Sequence, residues 1–165
     1  MKKTTVIILG LMIVVLLAGV ALGTGMVFKT DNPDFQDDPA FYKNLGNELV
    51  RRGNPEGAIG AYEKSLELGE DENIRSNLAI LYYQAGAYSD AASHLRVLVA
   101  LAPEDPSYHY DLAVNLVDRF RNTEDKRLED LFEALREYEL VAEMSPDFGN
   151  AQGNVAALKE VLKVD

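Results

Sequence analysis

The stretch ENIRSNLAILYYQAGAYSDAASHLRVLVALAPED, residues 72–105, carries the pattern that best predicts the fold of this chain. Leu78 and Tyr82 stand one helical turn apart in its first half, and the second half carries a similar apolar spacing that ends at Pro103. Gly86 separates the halves, as a glycine does where a helix ends. The stretch therefore predicts two helices joined by a tight turn.

The same pattern of apolar and small residues recurs on both sides of this stretch. A small residue of the first helix recurs as Gly46, Ala79 and Ala113, at intervals of 33 and 34 residues. This period, the small residues that allow close helix approach and the closing proline together resemble the tetratricopeptide repeat (TPR) family. The resemblance runs from Pro39 to the C-terminus. It implies an all-α fold, a right-handed superhelix of antiparallel helix pairs with a C-terminal capping helix.

The resemblance divides this part of the chain into three repeats and a cap. Each repeat holds two helices, and the chain ends before the last helix could acquire a partner. The sequence also predicts the residues that cap the helix starts, Asp38, Asn54 and Ser89. The predicted segments are repeats 39–71, 72–105 and 106–148, and the capping helix 149–165.

The third repeat carries an insertion. Ala91 and Ala134 are 43 residues apart, about nine more than the period of the family. The excess falls near 121–130, a segment dense in charge. Because its apolar residues keep helical spacing, we predict that the second helix begins early, near Glu124, and projects beyond its neighbours. A flexible charged loop is the alternative.

Residues 6–28 form an uncharged apolar run that is long enough, at about 1.5 Å per residue, to cross a bilayer as a helix. We predict a retained transmembrane anchor; a cleaved signal peptide is the alternative. The basic residues of segment 1–5 place the N-terminus in the cytoplasm and the repeats outside it. An acidic linker, 29–38, follows. Gly19 and Gly23 would allow two anchors to pack.

Composition narrows the function. The chain has no cysteine, which excludes disulfides and cysteine-ligated zinc, and a net charge of −11, which disfavours nucleic acid as a partner. His94 and His109, the two histidines, fall in different repeats without the spacing of metal ligands. We find no motif for catalysis, and we predict a protein that is not an enzyme and needs no cofactor or metal.

In TPR proteins the first helix of each pair lines a groove, and the resemblance implies which residues lie there. Asparagine is frequent among them, and its amide can both donate to and accept from an extended peptide backbone. The predicted groove residues are Lys43, Asn44, Asn47, Arg51, Asn73, Asn77, Tyr83, Gln84, Tyr110, Asp111, Asn150 and Asn154. Ile80, Val114 and Asp118 share this face.

A narrower resemblance is to the TPR clamps that hold the C-terminal carboxylate of chaperones. Lys43, Asn47 and Asn77 match three clamp residues in place and type. Ser107 and Asp111 stand where such a clamp needs two further basic residues, and Asp111 would repel a carboxylate. An intact clamp therefore competes with a general peptide groove and with binding on other faces.

These patterns predict a membrane-anchored TPR adaptor that holds another protein during assembly of a cell-envelope complex. The expected partner is a protein or an extended peptide segment, with the membrane contacted through 6–28 and no nucleic acid. Two alternatives remain open. One is a self-associating, homo-oligomeric scaffold, and the other is a non-catalytic subunit of a membrane enzyme complex.

Overall fold

The computed structural model describes residues 38–164, which form a stack of antiparallel α-helices. Each helix packs mainly against the helices that precede and follow it in the chain. No strand occurs within this range. The helices are α1 (Pro39–Arg51), α2 (Pro55–Leu68), α3 (Glu72–Gln84), α4 (Tyr88–Leu101), α5 (Pro106–Asn122), α6 (Leu128–Met144) and α7 (Ala151–Leu162).

Side chains cap the N-termini of four helices in the described range. Asp38, Asn54, Asp71 and Asp105 each accept a hydrogen bond from a backbone N–H in the first turn of α1, α2, α3 and α5 respectively. The predicted cap Ser89 is wrong. Helix α4 begins earlier, after Ala87, so Ser89 lies inside its first turn and cannot reach the free N–H groups as a cap would.

Two groups of buried side chains hold the stack together. The first joins α2 to α3 and includes Tyr62 and Leu78, both almost wholly buried. The second extends from Ala79 in α3 to Leu158 in α7 and fills the spaces between successive helices. Alanines with no exposed surface, such as Ala113, occupy the close crossings, as the period of small residues predicts.

The insertion lengthens both helices of the third pair. Helix α5 is four residues longer than α3, α6 is three longer than α4, and the connection 123–127 is two longer than 85–87. The predicted helix start near Glu124 is wrong, because α6 begins at Leu128. Part of the insertion extends α5 instead. The hairpin still projects, by about one turn of each helix.

The connection 123–127 is ordered by hydrogen bonds to the end of α5. Thr123 donates from its hydroxyl to the carbonyl of Arg119 at 2.7 Å. Lys126 Nζ donates to the carbonyls of Phe120 and Arg121, each at 2.7 Å. These bonds satisfy carbonyl groups that the last turn of a helix leaves without partners. The charged segment is therefore a non-helical connection that caps the end of α5.

The predicted anchor, residues 6–28, lies outside the described residues, as do the segment 1–5 and all but the last residue of the linker. Of the helices within 38–164, none combines the length and the apolar character that a bilayer crossing requires.

The contact between α1 and α2 depends on a glycine. A Cβ atom at Gly46 would overlap the ring of Tyr62, whereas Gly60, on the open side of α2, has nothing within 4 Å of the same position. We expect Gly46→Ala to destabilise the domain by about 1–3 kcal/mol through overpacking. Gly60→Ala should stabilise it by roughly 0.5–1 kcal/mol. Chemical denaturation measures both, and shifts of equal sign would contradict the assignment.

Candidate functional site

A pocket of about 230 Å³ opens between α3 and α5. Ile80 and Tyr83 from α3 and Val114 from α5 supply most of its apolar surface, and Leu95 of α4 contributes as well. Ile80 is 49% exposed and stands beside the other apolar side chains of this lining. We call this space the central pocket. Its full lining is Ser76, Ala79, Ile80, Tyr83, Gln84, Leu95, Asp111 and Val114.

A second pocket, of about 350 Å³, lies between α5 and α7. We call it the C-terminal pocket. It shares Val114 with the central pocket, so the two pockets adjoin along α3, α5 and α7, and we call them together the channel. Its lining is Tyr110, Val114, Val117, Asp118, Arg121, Tyr138, Asn154, Ala157, Leu158 and Val161.

Helix α5 runs along the middle of this channel. Asp111, Val114, Asp118 and Arg121 recur every three or four residues, so they lie on one face of the helix. Hydrogen bonds at both ends hold this face beside α3. Tyr108 donates to Glu72 at 2.7 Å, and Tyr83 donates to Asp118. The hydrogen bond to Asp118 and partial burial raise the pKa of Tyr83 to about 12.

Asp111 is the one carboxylate that lines the central pocket. The residue is exposed, yet partial desolvation of its carboxyl group raises its pKa, and the nearby charge of Asp105 raises it further. No ion pair to Asp111 occurs among the described residues. Its negative charge is therefore poorly compensated.

Lys43, Asn47 and Asn77 gather around the hydroxyl of Tyr62. That hydroxyl donates to Asn47 Oδ1 at 2.7 Å. Burial raises the pKa of Tyr62, while a hydrogen bond from Asn77 and the positive charge of Lys43 act in the opposite direction. Lys43 also forms an ion pair with Asp71 at 2.7 Å. The three residues thus lie close together, but Lys43 already has a partner within the fold.

The other predicted groove residues separate into two groups. Tyr83, Gln84, Tyr110, Asp111 and Asn154 line the channel. Asn44, Arg51, Asn73 and Asn150 are exposed but line neither pocket, and Arg51 pairs with Glu48 on its own helix.

Sequence reasoning missed several residues of the channel. Tyr138 is buried between the helices and also lines the C-terminal pocket. Burial raises its pKa, and the charge of Asp118 adds to that effect. Val161 of α7 is 64% exposed and lines the same pocket. Val161 lies one helical turn after Leu158 in the sequence, and this spacing was the available signal for its place on the same helix face.

The described residues offer little for catalysis or metal binding. No group of three or more histidine, aspartate or glutamate side chains within 38–164 is arranged to hold a metal ion. His94 stacks on Tyr82 with ring centroids 5.6 Å apart, and His109 is buried between α5 and α6. Both histidines lie away from the channel lining.

Comparison with known proteins identifies the repeat. Residues 43–106 match the family model of the tetratricopeptide repeat. No curated protein sequence matches the chain.

Three solved structures share the fold. The first TPR of Spaghetti (RPAP3) bound to the HSP90 peptide SRMEEVD is 21% identical, with a TM-score of 0.59 over 78% of this chain and 95% of that one. MamA AMB-1 is 20% identical, with a TM-score of 0.65 over 76% and 64%. YrrB, a TPR protein with an unusual peptide-binding site, is 20% identical, with a TM-score of 0.63 over 77% and 61%.

The chain thus spans a little under two thirds of MamA and YrrB and nearly all of the RPAP3 domain. These similarities agree with the stack of antiparallel helices described above. The described part of the chain is a seven-helix, all-α domain with a TPR-like fold, and its residues 43–106 match the model of the tetratricopeptide repeat family.

Proposed function

We propose that this protein binds an extended segment of another protein in the channel along α3, α5 and α7 and performs no catalysis of its own. The observation that carries the proposal is the pair of adjoining pockets, because they expose apolar surface beside groups that can hydrogen-bond a peptide backbone. Gln84 and Asn154 supply such groups. The RPAP3 domain holding a peptide and the peptide-binding site of YrrB support this reading.

A carboxylate clamp of the chaperone-binding kind is a poorer fit. Lys43 is neutralised by Asp71, and Asp111 places a negative charge where the clamp would need a positive one. A peptide that ends in several acidic groups would meet repulsion at Asp111. The partner segment is therefore not of the acidic type that the RPAP3 domain holds.

The apolar run 6–28 and its basic N-terminal flank support a membrane role. We infer that the protein is a single-pass adaptor with the repeats on the extracytoplasmic side, where it assists assembly of a cell-envelope complex. Protease added to intact cells should digest the repeats. Digestion that occurs only after lysis would rule out this orientation.

Site-specific photo-crosslinking tests the binding site. A photoreactive phenylalanine analogue at Gln84, inside the channel, should trap the partner in cells, whereas the same analogue at Ser93, exposed on α4, should not. Equal yields of adduct at both positions would contradict binding in the channel. Adducts that contain two copies of this chain would favour the alternative, a self-associating scaffold.

Affinity measurements refine the site once the partner is known. Asn77→Ala and Lys43→Ala remove hydrogen-bonding groups beside Tyr62 but leave the apolar seam intact. We expect Asn77→Ala to weaken binding by about 0.5–1.5 kcal/mol if the segment extends to this end, and Lys43→Ala by up to twice as much. Unchanged affinity in both, with melting temperatures preserved, would confine the segment to the two pockets.

A further inference from the structure

The proposed function does not specify which segments bind in the channel. The charged residues that line the channel indicate the kind of segment. The central pocket combines an apolar interior with a single carboxylate, Asp111, among its lining residues. Lysine and arginine are absent from that lining. Of the basic side chains of α5, Arg119 is buried against Asp130, and Arg121 lines the C-terminal pocket, ten residues from Asp111 along the helix, without an ion pair to it.

The volume and the walls of the central pocket suit one aliphatic or aromatic side chain. About 230 Å³ of space is bounded by Ile80, Tyr83, Leu95 and Val114, and Ile80 exposes half of its surface there without another residue covering it. Covering this surface with an apolar side chain of a partner would remove it from water, which favours binding.

Resting on the proposed function, we propose that the channel selects segments in which an apolar residue, seated in the central pocket, stands next to a lysine or an arginine that pairs with Asp111. The cation would compensate a carboxylate that has no basic partner of its own in the described chain. Asp118, on the same face two turns along α5, extends the negative character of the channel, although Tyr83 already donates to it.

The selected segment is thus basic and apolar, the opposite in charge of the acidic peptide held by the RPAP3 domain. The net charge of the whole chain, −11, attracts a basic partner over longer distances and raises its rate of encounter. At close range the central pocket and Asp111 select the segment, because an apolar side chain and a cationic side chain must be neighbours in order to reach both.

Fluorescence anisotropy with the full chain in mild detergent tests this selection. The probes are three pools of dye-labelled nonapeptides with blocked ends, randomised flanks and a fixed central pair, Leu-Arg, Leu-Gln or Leu-Glu. We expect the Leu-Arg pool to bind roughly tenfold more tightly than the Leu-Gln pool, and the Leu-Glu pool to bind least. Asp111→Asn should abolish the difference between the Leu-Arg and Leu-Gln pools.

Asp90→Asn is the matched control, because it removes the same charge from α4 outside the channel lining. It should keep the full preference for Leu-Arg. Equal affinity of the three pools would overturn the charge selection while leaving peptide binding in place. Absence of binding by every pool would overturn the peptide-binding function as well. A preference that survives Asp111→Asn would show that another group selects the cation.

Thermal unfolding shows that a loss of preference does not come from unfolding. A carboxyl group with a raised pKa is destabilising when it is ionised, so Asp111→Asn should increase the melting temperature near pH 7. The increase should vanish at about pH 3, where the carboxyl group is protonated in both the folded and the unfolded chain. A variant that melts higher and yet loses its charge preference would separate the role of Asp111 in binding from folding.

Discussion

Arg119→Met should destabilise the third helix pair by about 3–5 kcal/mol, the largest effect that we expect from a single substitution in this domain. Arg119 lies in the last turn of α5 and holds both carboxylate oxygens of Asp130, with Nε 2.7 Å from Oδ2 and Nη2 bonded to Oδ1. Asp130 is 1% exposed. Removal of the guanidinium leaves that carboxylate buried without a cation, so no ion pair offsets the cost of its desolvation.

The double variant Arg119→Met/Asp130→Leu separates the pair from its surroundings. Because it removes both charges and keeps apolar volume, we expect it to recover most of the lost stability. Hydrogen exchange of the amides of α5 and α6 is the appropriate measurement, since helix pairs in a repeat stack can open separately. A single variant as stable as the parent would mean that Asp130 finds water or another partner.

His109→Leu should cost roughly 2–4 kcal/mol. His109 joins three parts of the fold: its own helix α5, the carbonyl of Pro103, which is 2.9 Å from Nε2, and Glu137 of α6, whose Oε2 is 2.6 Å from Nδ1. A carbonyl oxygen can only accept, so Nε2 carries a hydrogen and Nδ1 faces the carboxyl group. Leucine would leave buried Glu137 with a contact to the exposed Arg136 at 3.2 Å.

The other histidine provides the matched control. His94 is half-buried and stacks on Tyr82; burial lowers its pKa, and so does nearby Arg75. It has no short contact to a carboxylate, so His94→Leu should cost less than about 1 kcal/mol. A double-mutant cycle with Glu137→Met should give a coupling energy of about 1–3 kcal/mol for the His109 pair. Equal losses at the two histidines would refute the role of that pair.

The projecting hairpin links these stability predictions to the channel. Helix α5 carries Asp111 and Asp118 on the face that lines the channel, while Arg119 and His109 anchor the same helix to α6. Variants that loosen this anchor should therefore weaken binding indirectly. For each channel variant, the affinity and the hydrogen exchange of α5 should be measured together. Local unfolding is then not mistaken for the loss of a contact.

The sequence alone predicts the helix pairs, their turns and two of the four side-chain caps, Asp38 and Asn54. These features are local: a proline and a capping side chain start a helix, a glycine ends it, and small residues at a period near 34 permit close crossings. For that reason the first two pairs could be predicted almost to the residue, and the place of the insertion could be read from the changed spacing. The Ser89 prediction failed because the local preference for serine over alanine as an N-cap was overridden: α4 begins after Ala87, without a side-chain cap.

The availability of polar side chains for binding follows from the packed helices. In the sequence, Lys43 is a groove candidate and Asp130 belongs to the charged segment 121–130, yet Lys43 pairs with Asp71 from the next repeat and Asp130 is buried against Arg119. Conversely, Asp111 keeps its charge unpaired. Partners from different helices meet only after the stack has formed, so helical spacing cannot distinguish a side chain already paired within the fold from one left to contact a ligand.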